Sequence, residues 1–186
     1  FDEYYEAKIT KTAIDFLREM NRSEKPFALY VGFLQPHAAY TPPEPFWSMY
    51  KDLEVDVSDL GIASSPFYAV EKFECDDERK KNIVRGYYAM IACMDACVGM
   101  LMDEMEALGL AEDTLLVYTS DHGEMLGDHQ WLRKRNPFEP SAHVPLLMKF
   151  PSSLGLPQEQ VIDRPVELMD IMPTLLDAVG VPIPDT

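Results

Sequence analysis

The chain has 186 residues, enough for one domain with a real core, and its apolar share of 47% is ordinary for a globular protein. Sixteen Lys and Arg against 32 Asp and Glu leave a formal charge of −16, which weakens any nucleic-acid reading because such binders carry a basic face. No run of about 18 apolar residues occurs, so no membrane span is expected.

The opening residues Phe1 to Tyr5 are acidic and aromatic, unlike a signal peptide, and there is no initiator Met; an excised segment is the expectation. Residues 9–20 read as an amphipathic helix with Ile9, Ala13, Phe16, Leu17 and Met20 on one face. Residues 27–34 (FALYVGFL) form a nearly continuous run of strand-forming residues, which predicts a strand buried on both faces. Gln35 to Pro45 holds four prolines and reads as a stiff loop leaving that strand. Residues 51–78 are acidic and poorly periodic, and read as a surface excursion.

Residues 79–108 give the clearest helix, with Val84, Tyr87, Tyr88, Ile91, Val98, Leu101, Met102, Met105 and Leu108 recurring at three- and four-residue steps and Gly109 as its stop. Asp95 falls on that stripe, either at its boundary or as a buried carboxylate with a partner. The odd number of cysteines, Cys75, Cys93 and Cys97, argues against a disulfide framework. Cys93 and Cys97 lack a second Cys/His pair and read as buried small apolar residues rather than a metal clip. Residues 114–119 and 144–150 predict two more strands. Asp170 is a plausible N-cap for a final helix, with Pro173 in its first turn and Gly180 at its end. Helices alternating with apolar strands imply an α/β fold with a mainly parallel sheet.

In such sheets, sites form beyond the C-terminal ends of strands. All four histidines, His37, His122, His129 and His143, lie in or just after the segments that follow two predicted strands. Asp121 and His122 pair a carboxylate with an imidazole, which suits a divalent metal and equally a capping or turn pair. Two ligands do not make a site, so weak metal binding or none is expected of this chain alone. Arg133, Lys134 and Arg135 are consecutive bases in an acidic chain. They read either as a solvated turn or as the source of a cation beside an anionic group.

Four stretches resemble consecutive segments of the sulfatases of the alkaline phosphatase superfamily: FALYVGFLQPHAAYTPP, LLVYTSDHGEMLGDHQWLRK, NPFEPSAHVPLLMKFP and VELMDIMPTLLDAVGVPIP. The resemblance implies an alkaline-phosphatase-like, incomplete α/β fold, in which residues 1–186 form the central and later part of a catalytic domain. It implies hydrolysis of sulfate esters, on a small molecule or a sulfated sugar. By it, Asp121 and His122 would be metal ligands, with calcium favoured, His37 would bind the sulfate or protonate the leaving oxygen, and Lys134 would hold a sulfate oxygen. Glu124 and His129 match recurrent motif positions, and His143 stands where many relatives have Arg. The family's formylglycine nucleophile, made in a Cys/Ser-x-Pro-x-Arg motif, is missing: Cys75 to Arg79 has the spacing without the proline and lies after His37 instead of before it. The nucleophile is therefore expected outside this chain, together with the C-terminal subdomain. The chain alone is expected to be inactive and, with core faces exposed, to self-associate. Two rivals remain: a phosphonate monoester or phosphodiester hydrolase of the same superfamily, and a non-catalytic module.

Overall fold

A computed structural model describes residues 2–23, 25–57, 76–156 and 159–184. They fall into two compact units, Phe1–Ala111 with His122–Val144, and Glu112–Asp121 with Pro145–Thr186. Residues 58–75 of the predicted surface excursion, Cys75 among them, lie outside the described residues.

The first unit is built on three helices, α1 (Tyr5–Ser23), α2 (Phe46–Tyr50) and α3 (Asp77–Ala107), with α1 and α2 both packed on α3. The first helix begins four residues earlier than its periodicity suggests and buries Glu6, Ala7, Thr10, Ala13, Ile14 and Leu17. Of the predicted face, only Ala13 and Leu17 are fully buried. Asp76 caps α3 by accepting from the Arg79 amide at 2.8 Å, which satisfies one of the helix's orphan donors. Gly109, at φ 71°, ends it, and the Leu110 amide folds back to the Met105 carbonyl at 2.9 Å.

The buried side of α3 also departs from the expected stripe. Gly86, Ala89, Met90, Cys93 and Cys97 line it, while Tyr88 is exposed. Small residues let the neighbouring backbone approach closely, and a Cβ on Gly86 would lie only 2.7 Å from the Tyr40 carbonyl oxygen. Asp95 is exposed and takes no part in the core. By length and composition α3 could cross a membrane. It packs against α1 and α2, and its buried Arg85 donates to the Leu53 carbonyl at 2.9 Å, to Glu78 at 2.9 Å and to Asn82 at 3.2 Å.

The predicted strand 27–34 is corrected. The segment is extended but belongs to no strand pair among the described residues. Phe27, Val31 and Phe33 are partly covered, while Tyr30 is 91% and Leu34 63% exposed. Apolar and aromatic sequence favours an extended backbone, but a buried strand also needs neighbours, and the described residues of this unit supply none.

The second unit holds β1 (Leu116–Thr119), β2 (Leu146–Lys149) and α5 (Ile171–Ala178), all within the predicted segments. Its two strands pair antiparallel, with Leu116 opposite Lys149 and Thr119 opposite Leu146, so the one described ladder is not a parallel one. Asp170 takes the N-cap position of α5, but its carboxylate accepts from the Glu167 amide at 2.8 Å rather than from the helix. Gly180, at φ 71°, ends α5 as expected.

Candidate functional site

His37 sits on an exposed bend whose turn is closed by its own amide donating to the Leu34 carbonyl at 3.0 Å. Tyr4 ties both flanks of this bend to the start of α1. Its hydroxyl accepts from the Gln35 amide nitrogen at 2.7 Å and donates to the Thr41 carbonyl at 2.9 Å. The imidazole Nδ1 of His37 lies 2.6 Å from the Ala38 carbonyl, which places the proton on Nδ1 and the lone pair on Nε2. His122 repeats the arrangement, with Nδ1 2.8 Å from the Gly123 carbonyl. An imidazole held this way presents Nε2 as its acceptor or metal-ligating atom.

Gly123 is locked against the short helix α4 (Glu139–Ala142). Its amide donates to the Ser141 carbonyl at 2.8 Å, and a Cβ there would overlap the Pro140 carbonyl. Beyond it the chain makes a compact loop, with the Met125 amide donating to the Arg133 carbonyl and the Gly127 amide to the Trp131 carbonyl, both at 2.8 Å. Leu126, His129, Arg133 and Arg135 adopt left-handed backbone at φ 49°, 52°, 71° and 77°. Such conformations cost non-glycine residues about 1–3 kcal/mol each and concentrate at functional sites. Lys134 lies between two of them, half-buried, and makes no hydrogen bond or ion pair among the described residues.

Tyr40 brings the His37 bend to this loop. Burial, then the charge of the neighbouring Glu124 carboxylate and hydrogen bonding to it, push the Tyr40 phenol upward, with Arg133 opposing. Tyr40 also meets the Tyr87 ring edge-on at 6.3 Å. The Tyr40–Glu124 approach therefore joins the segments bearing His37, His122 and Lys134. Sequence reasoning passed over Tyr40, since the approach spans 84 positions and only its place in a proline-rich bend hinted at a fixed side chain.

The remaining candidates are placed separately. His129 stacks on Phe138 at 4.3 Å between ring centroids, and Trp131 meets the same ring edge-on. His143 lies on the surface, its Nδ1 2.9 Å from the Glu139 carboxylate. Asp121 is exposed and falls in the second unit, one residue before His122 opens the returning stretch of the first. No group of three His, Cys, Asp or Glu side chains among the described residues is placed to hold a metal ion. Asp121 and His122 offer suitable donor types but do not by themselves make a metal centre. Cys93 and Cys97 are fully buried, and burial pushes the Cys93 thiol up to about 12 and raises Cys97 as well. Neither is a nucleophile, because attack requires an accessible thiolate.

The sequence matches the sulfatase family over residues 1–181. The chain belongs to the sulfatase family. It is 34% identical to an arylsulfatase of Clostridium perfringens, over 96% of this chain and 39% of that protein. Arylsulfatase K of Canis lupus familiaris is 35% identical over 95% of this chain and 37% of its own length. A phosphonate monoester hydrolase from Silicibacter pomeroyi superimposes with a TM-score of 0.84 at 25% identity, over 98% of this chain and 39% of that one. These likenesses support the expected incomplete α/β fold of the alkaline phosphatase type. This sulfatase-family chain spans about two fifths of the length of the relatives it matches.

Proposed function

We propose that the complete protein hydrolyses sulfate esters, with Lys134 neutralising an oxygen of the sulfuryl group and His37 serving the leaving oxygen. The observation that carries this is Lys134 itself: a half-buried lysine without an ion pair among the described residues, in a chain of net charge −16. Acidic side chains are abundant, yet among the described residues none pairs with this cation. A preorganised positive charge of this kind is worth most where negative charge develops on a transferred group. His37, with its proton held at Nδ1, presents Nε2 and would need to be protonated there to act as an acid toward the departing oxygen.

Asp121 and His122 are assigned as ligands of a divalent cation, calcium by the family resemblance, whose other ligands lie outside the described residues. Bound there, a cation would supply Lewis-acid polarisation of the ester. The nucleophile, formylglycine by the same resemblance, is assigned to a part of the protein beyond these 186 residues, in agreement with the inaccessibility of Cys93 and Cys97. Substrates are sulfate esters of small molecules or sugars; a choline-sulfatase of Rhizobium meliloti, 33% identical over 87% of this chain, bears a name of the first kind.

Turnover of an aryl sulfate by the complete protein tests the proposal. Lys134→Ala and His37→Ala are each expected to lower kcat about 100- to 1,000-fold. Undiminished turnover in both variants refutes the assigned roles. The resemblance to a phosphonate monoester hydrolase keeps that activity as the second reading, favoured if an aryl phosphonate ester is hydrolysed faster than the aryl sulfate.

A further inference from the structure

We propose that Glu124 is a positioning residue: its carboxylate closes the loop from Met125 to Arg133 and thereby fixes Lys134 toward the transferred group. The inference rests on the sulfatase reading above and goes beyond it, since neither the sulfate nor a metal need touch Glu124.

One oxygen, Oε1, carries the closure. It accepts from the Leu126 amide at 3.3 Å, at the start of the loop, and from the Arg133 amide at its end. Two successive residues thus close the loop on Arg133, Met125 through its amide to the Arg133 carbonyl and Glu124 through its side chain to the Arg133 amide. Arg133 is held through both its amide and its carbonyl, and Lys134 is the next residue.

The loop needs such a hold. Four of the five non-glycine residues with left-handed backbone among the described residues are Leu126, His129, Arg133 and Arg135. A strained path relaxes unless its surroundings over-determine it. Two of the four flank Lys134, so relaxation at Arg133 would swing the ammonium away. Glu124 also lies against Tyr40, three residues beyond His37, so the carboxylate that sets the lysine faces the bend that sets the imidazole.

A carboxylate near a cation can also act by charge, and substitutions separate the two roles. Glu124→Gln keeps an amide-accepting oxygen of the same reach. Glu124→Asp keeps the charge and shortens the arm by one carbon, so it cannot bridge both amides. In the complete protein, positioning predicts that Glu124→Asp lowers kcat on an aryl sulfate about a hundredfold, as an ångström of misplacement does, with KM changed far less. Glu124→Gln should stay within about tenfold of wild type by the same reasoning. Adding Glu124→Asp to Lys134→Ala should reduce kcat no further than Lys134→Ala alone, because a misplaced lysine and an absent one are equivalent.

Hydrogen-exchange mass spectrometry supplies a readout independent of turnover. Peptides covering 125–135 should exchange faster in Glu124→Asp than in wild type, with α3 unchanged and Glu124→Gln close to wild type. A multiplicative loss in the double variant, a greater loss in Glu124→Gln than in Glu124→Asp, or unaltered exchange in 125–135 each overturns the proposal. An inactive wild type overturns the sulfatase reading instead; the exchange result then decides alone whether Glu124 holds the loop.

Discussion

Gly86 and Gly99 lie on the same helix, and alanine at the two positions should move stability in opposite directions. In a helix interior, Gly→Ala gains about 0.8–1 kcal/mol from backbone entropy when nothing else changes. At Gly99 nothing lies within 4 Å of the added Cβ, so that gain should appear undiminished. At Gly86 the new carbon would sit 2.7 Å from the Tyr40 carbonyl oxygen and 3.0 Å from the Tyr40 Cβ. The carbonyl belongs to backbone, not to a swinging side chain, so the proline-rich bend as a whole must move. Overpacking of this kind costs about 1–3 kcal/mol, which cancels or exceeds the helical gain. The net expectation is a loss of up to about 2 kcal/mol for Gly86→Ala against a gain of just under 1 for Gly99→Ala. Urea unfolding followed by circular dichroism measures both. With a slope of about 1–3 kcal/mol per molar urea, the two midpoints should separate by several tenths of a molar or more. A Gly86→Ala variant as stable as Gly99→Ala would show that Tyr40 does not press on α3 and would remove the support of the His37 bend.

Leu17, 2% exposed on α1, should cost about 2–5 kcal/mol on truncation to Ala, again read by urea unfolding; a cost under 1 kcal/mol would place α1 off α3. The Cys93 pKa is raised by burial, so the folded state keeps a proton that the unfolded state releases. Its contribution is complete below pH 9 and is lost as pH climbs toward about 12, and Cys93→Ala should flatten that alkaline limb of stability. For the chain expressed alone, the exposed run including Leu29, Tyr30 and Leu34 should cause association, seen as sedimentation that depends on concentration; a monomer at all concentrations would count against this.

Much of the architecture was legible because it rests on local rules. The apolar periods announced α1 and α3, Gly109 and Gly180 marked helix ends, and short apolar runs marked β1 and β2. The ordered segments around His37, Asp121, His122 and Lys134 disclosed the sulfatase family without any structure. What the sequence by itself determined, then, was the kind of element in each stretch and the chemistry offered along it, since both depend on neighbours within a few residues.

Tertiary structure decided the rest. Residues 27–34 have strand composition but no ladder among the described residues, because a strand's hydrogen bonds belong to two segments and composition describes only one. The buried face of α3 keeps Val84 and Met105 of the expected stripe but runs through Gly86, Ala89, Met90, Cys93 and Cys97, because close approach of neighbouring backbone rewards small volume. The meeting of Tyr40 with Glu124 arises from contact between segments far apart in the chain, whose energy no local pattern records, and the left-handed turns around Lys134 sit in a loop closed by specific backbone and side-chain hydrogen bonds that composition does not announce.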